Sequence, residues 1–255
     1  MNDWTIQTPL HDLAAMDKTV RKGRNPFEGY LRACGLQFGN LPELCRLDGD
    51  FQRAMQFAQG RTVVLQQNLM NLFVLFKFFL PKIERGNIAE FGSYQGGSAL
   101  FMAYLANRFL GGAKVFAFDT YEGMPPTDRQ VDIHKPGDFA DANLGRIRQF
   151  AASVGLNNLI CVKGRFEETA AQTLRGSGPL ALVHIDCDIY SAVAYSYDVS
   201  KNHLVHGGYI VLDDPLIGSC LGAFEAMEEL MIRRDGLHAE QVMPHVVFRY
   251  PKLSE

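Results

Sequence analysis

Four aspartates occur in two short motifs, Asp186-x-Asp188 and Asp213–Asp214, and each motif directly follows an apolar run of strand length. If these runs are neighbouring strands, the four carboxylates meet at one edge of a sheet, where like charges repel unless a cation lies among them. Oxygen ligands with room for water favour Mg²⁺ or Mn²⁺ over zinc. One aspartate in such a place commonly caps the next helix, but the two pairs together favour a metal site. His184, on the same side of its strand as Asp186, is interpreted as a buried core residue.

A glycine-rich segment lies earlier in the chain, where residues 90–98 read Glu-Phe-Gly-Ser-Tyr-Gln-Gly-Gly-Ser. It follows an apolar strand and leads into a helix, so its backbone N–H groups are available to an anion. A P-loop requires lysine at the position of Ser98, and a dinucleotide-binding turn requires glycine at the position of Tyr94. The segment therefore matches neither phosphate-binding motif.

The same segment suits S-adenosylmethionine, whose methionine carboxylate would accept hydrogen bonds from the helix amino end and from the Ser98 hydroxyl. The ribose hydroxyls of this cofactor require a carboxylate at the end of the second strand, where Asp119 stands. Glu90, at the end of the first strand, would take the cationic amino group. The alternative is that the glycines only form a tight turn and that Asp119 caps a helix.

The elements that position these residues follow a regular rhythm from residue 87 onward. Short, continuously apolar runs alternate with helical patterns, which indicates parallel strands buried on both faces. Residues 239–250 read as a final pair of strands. We therefore predict an α/β fold: a doubly wound, mostly parallel seven-stranded sheet with a C-terminal antiparallel pair and an N-terminal helical extension. Right-handed crossovers place the functional crevice at the carboxyl ends of the strands.

Composition excludes several classes of protein. The 255 residues are 47% hydrophobic and 21% charged, which is ordinary for a globular chain, and 25 basic against 28 acidic residues give a net charge of −3. A dedicated nucleic-acid binder would need a basic excess. The five cysteines form no CxxC pair and are expected to be reduced thiols, and no secretory signal is evident, so we expect a cytoplasmic protein.

The first part of the chain is less informative than the rest. We expect residues 1–80 to form a helical extension or cap and residues 81–255 to form the catalytic domain. The most apolar stretch, residues 63–80, contains too many polar side chains for a membrane span and is predicted to be a packed helix. Its apolar surface would also allow packing against a second copy of the chain, so the oligomeric state stays open. Residues 125–141 are long for a connection and are expected to form a mobile lid.

Taken in order, these motifs resemble those of the macrocin O-methyltransferase family, which are class I, metal-dependent enzymes that use S-adenosylmethionine. The resemblance covers about residues 60–250 and departs from the family pattern at Cys187 and Pro215. It implies a divalent metal ion on Asp186, Asp213 and Asp214. It also implies cofactor contacts at the following positions: Gly92, Tyr94 and Ser98 at the methionine part, Glu90 nearby, Asp119 at the ribose, and Gly164 and Phe166 at the adenine end.

The activity that the resemblance implies is methyl transfer from S-adenosylmethionine to a hydroxyl of a small molecule, a sugar or glycoside among natural products. A divalent cation makes such a hydroxyl more acidic, and Asp186 or Asp188 would accept its proton. Two other classes of function stay open. One is an enzyme, such as a hydroxylase, that uses the same fold for another reaction, and the other is a non-catalytic protein that binds the cofactor.

Overall fold

The computed structural model describes Thr19 and residues 41–250 of the chain. By their internal contacts, residues 1–46 and residues 47–255 form two compact units. The predicted division into residues 1–80 and 81–255 stays a prediction. Most of the first unit lies outside the described residues, so the predicted helical extension stays a prediction there.

Three helices precede the sheet. Helix α1 spans Leu41–Leu47. Helix α2 spans Gly49–Ala58 and begins at Asp48, whose carboxylate accepts the N–H of Asp50 at 2.9 Å. Helix α3 spans Gln66–Val74 and continues through a π-helical turn, Leu75–Phe79, and a 3₁₀ turn, Leu80–Lys82. The helix predicted over residues 63–80 thus begins only at residue 66.

Strands and helices alternate along the rest of the chain. The strands are β1 Asn87–Phe91, β2 Val115–Asp119, β3 Leu159–Lys163, β4 Leu180–Ile185, β5 Leu204–Leu212, β6 Ala239–Gln241 and β7 Val246–Tyr250. The helices are α4 Gly97–Phe109, α5 Leu144–Ser153, α6 Phe166–Ser177, α7 Tyr190–Ser200 and α8 Leu221–Ala226. Helix α8 continues as a π-helical segment, Met227–Arg234.

Within residues 41–250, seven strands form one sheet in the order β3-β2-β1-β4-β5-β7-β6. The first five strands are parallel to their neighbours, and β7 runs antiparallel to both β5 and β6. This arrangement confirms the predicted doubly wound sheet and its antiparallel C-terminal pair. The strand order reverses between β1 and β4: β2 and β3 follow on one side of β1, and β5 follows on the far side of β4. The carboxyl ends of β1 and β4 therefore border the crevice that such a switch point creates.

Helix α2 packs against α3 and α4 through aromatic rings. The buried Phe51 ring makes edge-to-face contacts with Phe73 of α3, at 5.4 Å between centroids, and with Phe101 of α4, at 6.0 Å. On the surface beside them, Arg108 donates to the Asp50 carboxylate at 2.9 Å. Helices α2 and α3 therefore share one core with α4.

Among the residues that the structure describes, none forms a helix with the length and apolar character needed to cross a bilayer.

Removing the Phe51 ring tests this shared core. Phe51→Ala is expected to lower the free energy of unfolding by about 3–5 kcal/mol, because a buried ring leaves both its transfer energy and a cavity behind. Urea unfolding at equilibrium measures the loss. Phe78→Ala is the matched control: Phe78 is 49% exposed, so removal of its ring should lower the free energy of unfolding far less. Equal losses for the two variants would contradict a core that includes α2.

Candidate active site

A cavity of about 340 Å³ opens at the carboxyl ends of β1, β2, β4 and β5. The site residues predicted from the sequence that line it are Gly92, Tyr94, Ser98, Asp119, Phe166, Asp186, Asp188, Asp213 and Asp214. The described residues that line the cavity do not include Glu90 or Gly164. Gly164 lies just behind it, where its N–H donates to the carbonyl oxygen of Asp119 at 3.0 Å.

The glycine turn, residues 92–96, lies directly against the end of β4. Gly92 has a φ of +88°, and a Cβ there would lie 1.7 Å from the backbone oxygen of Asp186. Gly97 is also confined, because its Cβ would lie 2.6 Å from the carbonyl of Arg61, which accepts its N–H at 3.0 Å. Glycine is therefore required at both positions, because a side chain there would collide with a neighbouring backbone. The contact at Gly92 brings the glycine turn and the end of β4 together, and both border the cavity.

The Asp119 carboxylate holds the glycine turn in place. Its Oδ2 accepts the N–H groups of Ser93 and Tyr94 at 2.9 and 2.8 Å, and its Oδ1 accepts the N–H of Tyr121 at 2.6 Å. Both tyrosines have positive φ angles, 48° and 52°. Asp119 therefore binds the backbone of the glycine turn and does not cap a helix. The residue is half-buried and also lines the cavity.

Three carboxylates form what we call the acidic cluster: Asp186, Asp213 and Asp214. Within residues 41–250 their ligand-type oxygens lie within 4.8 Å of one another. Burial raises the pKa of Asp186 and of Asp214, and repulsion from the neighbouring carboxylates raises both further. Charge repulsion at this edge is therefore present in the folded protein, as the sequence predicts.

Asp213 differs from its neighbours because polar side chains surround it. Its Oδ1 accepts the Asn68 amide at 2.8 Å and His245 Nε2–H at 2.9 Å, while His184 Nε2 lies 3.8 Å away. The amide of Asn71 donates to His245 Nδ1 at 3.0 Å, which leaves Nε2 to carry the proton. Burial disfavours the ionised form of Asp213, but the two imidazoles outweigh burial and hold its pKa below the ordinary range.

Glu90 lies beneath the cavity and pairs with His184. Glu90 Oε1 is 3.1 Å from His184 Nδ1, and both side chains are fully buried. Burial disfavours a charged imidazole, yet Asp213 and Glu90 together raise the pKa of His184 to about 9. His184 is therefore a buried residue placed between two carboxylates, which refines its interpretation as a core residue. Glu90 Oε2 has no hydrogen-bond partner among the described residues.

Asp188 stands beside the acidic cluster but belongs to a different set of contacts. Its backbone N–H donates to Asp214 Oδ2 at 2.9 Å, and its φ is +60°. Its carboxylate lines the cavity, where Cys220 Sγ donates to Oδ1 at 3.2 Å. Burial raises the pKa of Asp188. The side chain thus faces the cavity and not the connection that leads to α7.

The loop 125–141 forms one wall of the cavity. The Tyr94 hydroxyl donates to Asp141 Oδ1 at 2.7 Å, and the Phe139 ring lies 5.3 Å from the Tyr94 ring. The buried Asp132 carboxylate accepts the first N–H of α7 at 2.9 Å. The loop therefore lies where a lid would lie, and its mobility stays a prediction.

The donor set of the acidic cluster fits a hard divalent cation. All the ligand atoms would be carboxylate oxygens, two of the three residues are buried, and Asp186 is open to the cavity. Repulsion among these carboxylates contributes to the raised pKa of Asp186 and of Asp214, and a cation held between them would relieve it. Oxygen donors with an open side are the arrangement that Mg²⁺ and Mn²⁺ accept.

Three polar residues of this site were not predicted from the sequence: Asn68, Asn71 and His245. The available signal was the spacing of the two asparagines, which places them on one face of an otherwise apolar helix. His245 carried no signal, because its partner is far away in the sequence.

Comparison with known proteins identifies the family. Residues 56–232 match the model of the macrocin O-methyltransferase (TylF) family. A curated relative from Streptomyces olivaceus, 8-demethyl-8-(2,3-dimethoxy-alpha-L-rhamnosyl)-tetracenomycin-C 4'-O-methyltransferase, is 27% identical over 174 residues. That match covers 64% of this chain and 66% of the relative, so the chain spans just under two thirds of the relative's length.

Solved structures show the same fold. The crystal structure of CalS11, a calicheamicin methyltransferase, has a TM-score of 0.64 at 17% identity and covers 94% of this chain and 97% of its own. The O-methyltransferase NovP has a TM-score of 0.63 at 16% identity, with 78% and 87% covered. Because the family model matches well over half of the sequence, the chain belongs to the macrocin O-methyltransferase family.

Proposed function

We propose that the protein is a divalent-cation-dependent O-methyltransferase that transfers the methyl group of S-adenosylmethionine to a sugar hydroxyl of a natural product. One observation carries this proposal. The glycine turn, which Asp119 holds by hydrogen bonds, borders the same cavity as the acidic cluster. Gly92 of the turn lies against the backbone of Asp186. A cofactor pocket and a cation site are thereby adjacent, as methyl transfer to an activated oxygen requires.

The cofactor half of the cavity offers one group for each part of S-adenosylmethionine. The amino end of α4 and the Ser98 hydroxyl suit the methionine carboxylate. The N–H groups of Ser93 and Tyr94 occupy Asp119 Oδ2, whereas Oδ1 accepts one N–H, from Tyr121, and retains a lone pair for a ribose hydroxyl. The Phe166 ring, which packs edge-on against Phe91 at 5.2 Å, provides an apolar surface at the adenine end. Glu90 stays a prediction as a cofactor contact, because it lies beneath the glycine turn.

The cation half consists of Asp186, Asp213 and Asp214. A divalent cation held there would lower the pKa of an acceptor hydroxyl that reaches it. Asn68 and His245 fix the orientation of the Asp213 carboxylate by donating to it, which is the support that outer hydrogen bonds give to metal ligands.

Asp188 is our choice for the residue that accepts the proton of the acceptor hydroxyl. Its carboxylate faces the cavity beside the acidic cluster, whereas Asp186 would use its lone pairs as a ligand. The backbone N–H of Asp188 is tied to Asp214, so the base and the cation ligands keep a fixed spacing. Such spacing is what general-base catalysis requires.

The rim of the cavity suits an acceptor with an apolar part. Val63, Leu65 and Ile217 line the cavity and remain 66%, 51% and 37% exposed. A hydrophobic scaffold would cover these side chains while a sugar attached to it reaches the carboxylates below. The name of the Streptomyces olivaceus relative specifies a rhamnosyl tetracenomycin, so rhamnosylated aromatic glycosides are the first acceptors to test.

A product assay tests the activity. With S-adenosylmethionine labelled in its methyl group, mass spectrometry is expected to detect one labelled methyl on a glycoside hydroxyl when Mg²⁺ or Mn²⁺ is present. A chelator should abolish transfer and added cation should restore it, because the cation acidifies the hydroxyl. Transfer that continues undiminished in chelator would contradict the metal requirement. Cofactor binding without transfer to any member of a broad glycoside panel would count against the methyltransferase assignment.

Asp186→Asn tests the acidic cluster. The substitution removes one charged ligand, so turnover is expected to fall more than about 100-fold, since a cation contributes several kcal/mol of charge stabilisation. Mg²⁺ should raise the melting temperature of the unmodified protein but not of the variant. Without metal the variant should be the more stable of the two, because one repulsive charge is gone.

The control for this variant is Asp198→Asn, which removes a half-exposed carboxylate on α7. It should keep both turnover and the response to Mg²⁺. If Asp186→Asn responds to Mg²⁺ as the unmodified protein does, the cation is bound elsewhere.

Asp119→Asn tests the cofactor half. The amide keeps one acceptor oxygen but loses the charge, so the affinity for S-adenosylmethionine is expected to fall about 10-fold or more, because hydrogen bonds to charged groups contribute about 1.5–3 kcal/mol. Titration calorimetry measures the dissociation constant. Glu240→Gln, on the edge strand β6, should leave it unchanged. An unaltered dissociation constant for Asp119→Asn would remove this residue from the cofactor site.

A further inference from the structure

Three side chains of different chemical types converge on the cavity wall outside the acidic cluster: His134, Asp188 and Cys220. They come from separate parts of the chain, namely the loop 125–141, the end of β4 and the position just before α8. The distance from His134 Nε2 to Asp188 Oδ1 is 3.6 Å, from Cys220 Sγ to Asp188 Oδ1 3.2 Å, and from Cys220 Sγ to His134 Nε2 3.9 Å. We call this group the His-Asp-Cys cluster.

These distances match the spacing of ligands around zinc. Zinc binds sulfur at about 2.3 Å and nitrogen or oxygen at about 2.0–2.2 Å, so ligand atoms at tetrahedral angles lie about 3.3–3.6 Å apart. The measured separations scatter around that range, and the three atoms require shifts of only a few tenths of an ångström. Nitrogen, oxygen and sulfur donors in one set are typical of zinc and do not suit Mg²⁺.

A neighbouring carboxylate holds the histidine in the form that binds a metal. His134 Nδ1 lies 3.2 Å from Asp138 Oδ2, and the same oxygen accepts the N–H of Lys135 at 2.9 Å. Hydrogen bonds from Lys135 and His134 lower the pKa of Asp138, so it is an ionised acceptor. Nδ1 therefore carries the proton, and the Nε2 lone pair points toward Cys220 and Asp188. A carboxylate behind a metal-binding histidine is a recurrent support in zinc sites.

The cluster has room for a fourth ligand. All three residues line the cavity, and the His134 and Asp188 side chains are each 18% exposed. A water molecule or a substrate oxygen would complete four-coordination from the cavity side. We propose that His134, Asp188 and Cys220 form a second metal site, selective for Zn²⁺ and distinct from the oxygen-only acidic cluster beside it.

Zinc at this site would have two effects on the protein. It would fasten the loop 125–141 to the end of β4 and to the start of α8, because each segment contributes one ligand. It would also occupy the Asp188 carboxylate, so it would inhibit the reaction. This second effect rests on the proposed function, whereas the binding of zinc does not.

Cobalt substitution tests the site without any measurement of methyl transfer. The full chain, freed of metal and then saturated with Mg²⁺ to fill the acidic cluster, is titrated with Co²⁺ and followed by absorption spectroscopy. A thiolate-to-cobalt charge-transfer band, with the intense visible bands of a four-coordinate ion, is expected to saturate at one Co²⁺ per chain. Added Zn²⁺ should displace Co²⁺ and so abolish both the charge-transfer band and the visible bands. The Cys220 proton is released to solvent on binding.

Substitutions assign the bands to these residues. Cys220→Ser should eliminate the charge-transfer band, and His134→Gln should weaken Co²⁺ binding more than about 100-fold. Asp138→Asn should weaken it about 10- to 100-fold, the usual range for the loss of an outer hydrogen bond. Cys161→Ser and His206→Gln, matched changes away from the cluster, should leave the bands intact. Circular dichroism shows whether each variant is folded.

Two results would overturn the site: no charge-transfer band in the folded, unmodified protein, or a band that persists in folded Cys220→Ser. If His134→Gln and Asp138→Asn both bind Co²⁺ as tightly as the unmodified protein, the proposed ligand set is wrong. The bands do not depend on turnover, so an absence of methyl transfer would refute the proposed function and leave this result standing. Bands that form while Zn²⁺ leaves methyl transfer unaffected would contradict the inhibitory effect.

Discussion

The repulsion among carboxylates at the ends of β4 and β5 is the interaction on which the rest of this structure depends. Asp186, Asp213 and Asp214 have oxygens within 4.8 Å of one another in a largely buried place. Such an arrangement is costly unless the surroundings stabilise the negative charge. The protein supplies part of that stabilisation through His184, which lies between Glu90 and Asp213, and through donors to Asp213. The remaining negative charge is what makes the site suited to a divalent cation.

The stabilising groups come from elements outside the parallel part of the sheet. Asn68 and Asn71 belong to α3, before the sheet begins, and His245 directly precedes the last strand, β7. Their contacts with Asp213 and with one another fix α3 and the antiparallel strand pair around the acidic cluster. The N-terminal helix α3 and the C-terminal strands are therefore parts of the site, and the parallel sheet alone does not account for it.

The sequence was sufficient to predict the sheet, because continuously apolar strands separated by helices leave few ways to bury both faces. It also indicated which carboxylates would meet, since Asp186 and Asp213 end neighbouring parallel strands. It did not indicate the contacts of His134 with Asp188 or of His245 with Asp213, because these residues are brought together only by the folded loop and by β7. The start of α3 was placed three residues too early, since the apolar residues 63–65 resemble helix in sequence but form the cavity rim.

The contact between Gly92 and the backbone of Asp186 limits how the protein can change over evolutionary time. A single added methyl group at position 92 would push apart the ends of β1 and β4 and disturb both halves of the cavity at once. A substitution at position 92 would therefore affect the cofactor half and the cation half together. Residues 62–65 and the loop 125–141 also line the cavity, and a change there would alter its opening without placing a side chain between β1 and β4.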